Sequence, residues 1–216
     1  MSRVVAVGET VRRACGEFAG LDDVELATRF LAGQLVHAGR SPDQLRDWAE
    51  IALEAGRAAA HSMPGSTAPE VLARRQGLAI VAGEGGLRPG WVVVAEYAER
   101  RREIRVHDDV IELADQLVDQ LGWCDWYPPG VLRRAAIAHE LGHRALHGRA
   151  ARALRAQLGL VALRCGRLRM YGHVTGAPEL FAHGFAEQFC GLGRSPLLLT
   201  TALAKAGGGL TGKEGA

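Results

Sequence analysis

The chain has 216 residues, the length of one domain or one domain with an appendage. Hydrophobic residues at 48% and charged residues at 23% exclude a wholly disordered chain. Lys and Arg number 26 against 24 Asp and Glu; a net charge of +2 gives no global field that argues for nucleic acid or an acidic membrane.

The opening MSRVVAVGETVRRACGEF has no apolar run of the signal-peptide kind. No apolar run approaches the roughly 20 residues of a membrane span, so the expectation is a cytoplasmic protein with no membrane partner. Cysteines at 15, 124, 165 and 190 form no CxxC pair and are expected as free thiols.

Residues 1–62 read as a helical N-terminal segment. Leu21-Asp22-Asp23 opens a helix with Leu26, Phe30 and Leu31 on one face, running to about His37. Ser41-Pro42-Asp43 supplies an N-cap and a Pro at N1 for a second helix, with Leu45, Trp48, Ala49, Ala52 and Leu53 at helical spacing. A helix-turn-helix would need a recognition-helix pattern that is missing, and nucleic acid is not an expected partner. Residues 62–69 (SMPGSTAP) are turn-rich, and 63–68 read as a linker.

From residue 69 to 196 the pattern mixes helix and strand. A short helix at 70–75, a strand at 78–81 and a Gly/Pro loop at 83–90 come first. WVVVAEY (91–97) reads as a buried strand and EIRVH (103–107) as the next, joined in a hairpin. Asp108-Asp109 is placed to cap a helix over 110–121, which WCDWYPPG ends. A basic, Leu-rich helix is expected over 149–163, a strand or loop over 167–173, and a last strong helix from Pro178. Residues 197–216 read as a short apolar segment and a tail that frays from 207. The fold class is therefore α+β, with a small, mostly antiparallel sheet.

The stretch that carries chemistry is AAIAHELGHRALHG, residues 135–148, which contains His139-Glu140-Leu141-Gly142-His143. On a helix, residues four apart sit one turn apart on one face, so both imidazoles can bind one Zn²⁺. Glu140 cannot join them but can take the proton of a water that the metal activates. Composition alone would produce the pattern about 0.02 times by chance. Leu132, Ala135, Ala136, Ala138, Leu141, Ala145 and Leu146 make the helix apolar nearly all round, and buried polar groups in it need partners.

A catalytic zinc site needs a third protein ligand. His147 shares the face, but three successive turns of one helix cannot converge on one ion; it reads as a helix cap or a neighbour of the ligands. Arg149 stands where a metzincin would have its third histidine. PELFAHGFAEQFC, residues 178–190, offers Glu179 in the first turn of an apolar helix, an arrangement of the gluzincin type. His183 and Glu187, further along the same stripe, are alternatives. His183, Tyr171 and His173 are candidate donors to an oxyanion.

AHELGHRALHG followed by E-x-x-A-x-x-F-A (Glu179, Ala182, Phe185, Ala186) resembles the ImmA/IrrE family of zinc metallopeptidases. PEVLARRQGLAIVAG resembles that family's opening helix and strand, and EIRVH its edge strand, the edge along which a substrate peptide would add. The resemblance covers about residues 69–196. It implies a minimal zincin-like domain, one Zn²⁺ per chain, His139, His143 and Glu179 as ligands, and Glu140 as general base. It also implies peptide hydrolysis of an intracellular protein such as a transcriptional repressor. Segments 110–129 and 149–176 are longer than the family pattern. The alternative is a non-catalytic zincin-like domain with a structural metal or a partner-binding role.

Overall fold

The computed structural model describes residues 8–63, 68–88, 91–166 and 168–210. Expectations for residues 1–7, 64–67, 89–90, 167 and 211–216 lie outside the described residues.

Side-chain caps start the second and third of the N-terminal helices, while the first follows Gly8 without one. α1 (Glu9–Ala19) is followed by α2 (Asp23–Ala32), where the Asp22 carboxylate accepts the Glu25 N–H at 2.6 Å. α2 stops at Gly33, short of His37, which ends a separate 3₁₀ turn and packs its ring on Trp48. Ser41 caps α3 (Pro42–His61), its Oγ accepting the Gln44 N–H at 3.2 Å.

α4 (Pro69–Arg75) leads into β1 (Ala79–Gly83). A two-stranded ribbon follows, β2 (Leu87–Arg88) with β3 (Trp91–Val92), then β4 (Ala95–Ala98) and β5 (Glu103–His107). WVVVAEY is thus two strands with a break at Val93-Val94, not one. The three-stranded sheet has the order β1-β5-β4, with β1 parallel and β4 antiparallel to β5. It is mixed rather than mostly antiparallel, because segment 84–102 is long enough for a parallel crossover. EIRVH is the central strand and not the edge. Its Ile104 and Val106 are fully buried, and ladders close on both of its sides. The free edge next to the site is β4.

α5 (Asp108–Leu121) has no side-chain cap. Asp109 instead accepts the backbone N–H groups of Gly85 at 3.1 Å and Leu87 at 3.4 Å, anchoring the glycine loop, and Asp108 pairs with Arg133. α6 (Val131–Ala145) starts after Gly130, which sits at φ +76. The basic helix α7 (Arg149–Leu158) stops at Gly159 (φ +67), and the chain turns into the hairpin β6 (Val161–Cys165) and β7 (Leu168–Tyr171). α8 (Ala177–Cys190) begins with Pro178 in its first turn. α9 (Pro196–Leu210) is a full helix through residues 207–210, where a frayed tail was expected. Buried Leu197, Leu198, Ala202 and Leu203 tie it to the core, and that burial outweighs the poor helix propensity of its glycines.

Two apolar clusters hold these elements. The larger joins α1–α3 to α5, α8 and α9, with Leu31, Leu53, Leu180, Leu198 and Leu203 almost wholly buried. The smaller lies between the sheet and α6, around Ile104, Val106, Ile137, Leu141 and Phe185. α3 and α8 cross with their backbones in contact. A Cβ on Gly56 would lie 2.0 Å from the Phe181 carbonyl oxygen, and one on Gly184 would lie 2.3 Å from that of Leu53. The class is α+β. All four cysteines are free, and burial pushes the Cys190 thiol up to about 11. No helix among the described residues is long and apolar enough to cross a membrane.

Candidate metal centre

The site is built on two helices, α6 and α8. The four-residue spacing on α6 brings the Nε2 atoms of His139 and His143 to 3.1 Å from each other. α8 comes close enough to complete the set because Gly142 faces it. A Cβ there would meet the Ala182 Cα at 3.0 Å. In the first turn of α8, Glu179 places one carboxylate oxygen 3.4 Å from His139 Nε2 and the other 3.4 Å from His143 Nε2. The three side chains offer ligand atoms that all lie within 4.8 Å of one another, a set able to hold a metal ion.

The electrostatics follow from that geometry. Hydrogen bonds from His139 and His143, against the opposing effect of burial, hold the Glu179 carboxyl well below the usual carboxylate range. Burial disfavours a charged His143, but the hydrogen bond and negative charge of Glu179 outweigh it and raise its pKa. Glu140 is buried, and desolvation raises its carboxyl above the ordinary value. The nearby imidazoles and a hydrogen bond from the Tyr97 backbone act in the opposite direction. Two imidazoles and a carboxylate are a donor set that suits zinc, and they leave coordination positions open. Their convergence fits such an ion.

His183, one turn beyond Glu179, packs its ring against His139 at 4.5 Å between centroids. It is buried, burial holds its pKa well below the ordinary value, and its Nδ1 has no hydrogen-bond partner. Glu187 is not at the site: it accepts two hydrogen bonds from Arg57, at 2.9 and 3.2 Å. The other candidate residues are not among those that line the cleft at the site. Tyr171 is exposed on the β6–β7 hairpin, His173 is exposed in the link to α8, and His147 lies exposed past the end of α6.

Two residues that the sequence reading passed over frame the site. The guanidinium of Arg144, next in sequence to His143, lies 4.9 Å from the Tyr97 ring centroid. It also donates to the Tyr97 hydroxyl at 2.6 Å and to Gln76 at 3.2 Å. This staples β4 to α6. A tyrosine near the end of a largely apolar stretch was the only sequence signal for it. The site opens into a cleft of about 970 Å³, with His139, Glu140, His143, Glu179 and His183 in its wall.

No family model, curated protein or solved structure matches this chain.

Proposed function

We propose that this chain is an intracellular zinc-dependent endopeptidase with a zincin-like catalytic domain, of the ImmA/IrrE kind that its two motif stretches resemble. The observation that carries this reading is the convergence of His139, His143 and Glu179, with Glu140 buried beside them. A zinc ion held by the three would acidify a water and polarise a peptide carbonyl.

The protein's own groups do the rest. Glu140 takes the proton of the attacking water and hands it to the departing amine. Its burial-raised pKa suits both steps. His183, kept neutral by burial, offers an N–H to the carbonyl oxygen under attack. The His107 backbone N–H donates to the Val94 carbonyl, so the alternation of an antiparallel ladder turns the backbone groups of Ala95 and the carbonyl of Tyr97 to the free edge of β4, while the Tyr97 N–H is held by Glu140. A substrate strand adds along that edge. The substrate is a protein or peptide, and a regulatory protein such as a repressor is the natural candidate.

Metal analysis with four variants tests the reading. The wild type should carry one zinc per chain. Glu140→Gln should keep the zinc and lose about 10²–10⁴-fold in peptide hydrolysis. His143→Ala and Glu179→Ala should lose the metal, while Glu187→Gln keeps it. A Glu140→Gln protein as active as the wild type would overturn the mechanism. A zinc-loaded wild type that cuts no peptide would leave a non-catalytic metal domain.

A further inference from the structure

The cleft beside the metal centre is far larger than the chemistry needs, and its lining is mostly apolar. Its floor follows α6 away from the histidines, through Ala135 and Ala136 to Leu132. Leu132 stands seven positions before His139, about 10 Å along the helix axis. Small alanines between them leave the floor open. One wall is the break and edge of the strands, with Val92 and Val94. The other is Leu26 and Phe30 of α2 with Leu199 and Leu203 of α9. Both of those helices lie outside the stretch that carries the family resemblance. Phe30, Val92, Val94 and Ile111 pack on the core yet stay only partly covered.

Four polar side chains of this cleft away from the metal centre already have partners. Arg29 pairs with Glu25 at 3.0 Å and Glu96 with Arg105 at 3.4 Å. The hydroxyls of Thr200 and Thr201 both donate to the Leu197 carbonyl. A charged substrate side chain entering here would be desolvated against mostly apolar walls, and the charged groups at hand, Arg29 and Glu96, already have partners. A large apolar side chain would cover surface that is now exposed.

We infer that this cleft is a specificity pocket, which selects peptides with a bulky apolar residue beside the bond to be cut. The selectivity is set by α2 and α9, which belong to the two ends of the chain. The inference rests on the endopeptidase reading and names its substrate class.

Calorimetric titration of zinc-loaded Glu140→Gln protein tests it. The probes are blocked hexapeptides that differ only at the two central residues, as Gly, Glu, Lys, Leu or Phe. The Leu and Phe peptides should bind about 10–200-fold more tightly than the Gly peptide. Adding Ala135→Phe should fill the floor and bring the Leu and Phe peptides down to the affinity of the Gly peptide. If that variant melts early, Phe30→Ala serves instead and should weaken the Leu and Phe peptides about tenfold. Equal binding of all five peptides, or no binding of the Leu and Phe peptides, overturns the inference. So does an order of affinities that a folded variant leaves unchanged. Hydrolysis by the wild type separates the two readings. A protein that binds with this selectivity and cuts nothing keeps the pocket and loses the peptidase. One that cuts without regard to the flanking side chain keeps the peptidase and loses the pocket.

Discussion

Glu179 stays charged because two imidazoles donate to it, and His143 is more basic because Glu179 is charged. The folded pKa of Glu179 lies below its ordinary ~4.3, so its contribution to stability is complete above that value and fades as pH falls through the folded pKa. The folded pKa of His143 lies above ~6.5, so its contribution is complete below that value and fades as pH rises through the folded pKa. The metal-free protein therefore gains most from this pair between about pH 4.3 and 6.5. Zinc needs neutral imidazoles, so zinc stabilisation grows with pH instead. The melting-temperature difference between zinc-loaded and metal-free protein should widen from about pH 5.5 to pH 7.5; a difference that does not change would argue against zinc held by His143. At this scale much of the site was legible, because the HExxH spacing and a lone acid opening an apolar helix name their own positions. Tyr97 and Arg144 were not. Their partnership crosses 47 residues and leaves no local period.

At the scale of elements, the metal centre depends on how closely α8 lies on α6. Gly142 sits between the two histidines in sequence and faces Ala182 across the interface, where a Cβ would make tight contacts at 3.0–3.3 Å. Gly142→Ala would gain about 1 kcal/mol of helix propensity. It would also push α8 outward by a few tenths of an ångström and carry Glu179 with it. The expected result is a protein that melts near the wild type but binds zinc about 10–100-fold more weakly, read by chelator competition. Unchanged affinity would mean that α8 is not held by this contact. Gly184→Ala should be worse for the fold itself, because the clash is with the Leu53 carbonyl. A loss of about 1–3 kcal/mol is expected from denaturant melts. Strand order was the part of the fold that the chain did not announce. Alternation marks EIRVH as a strand but says nothing of how many neighbours it has. The parallel pairing with β1 is a long-range choice, made by burying Ile104 and Val106 from both sides.

At the scale of the whole molecule, one carboxylate ties the two ends of the chain together. Asp23, at the start of α2, accepts from Arg194 at 3.0 Å and from the Ser195 N–H at 3.2 Å, and faces Arg57 at 3.5 Å. Arg57 in turn holds Glu187 on α8. Asp23→Ala would take from Arg194 its only carboxylate among the described residues, leaving it two backbone carbonyls, and one of three carboxylates from Arg57. The expected loss is about 2–3 kcal/mol, under the ~3–5 of a fully buried pair, or a fall of about 5–10 °C in Tm. Asp23→Asn should recover part of it by keeping the acceptor oxygen; equal Tm values for the wild type and Asp23→Ala would refute the link. None of this was readable from the chain in order, since a contact between residues 23 and 194 has no local signature.

The helix that presents Glu179 rests its backbone against Gly56. The turn-rich stretch after His61 therefore marks a pause in the sequence but no seam in the solid. An excised C-terminal part would have to hold Glu179 on a helix stripped of the surface it leans on. Whatever places or removes the first sixty residues, be it a protease, a splice or a binding partner, would also govern whether the histidines at the far end of the cleft find their third companion.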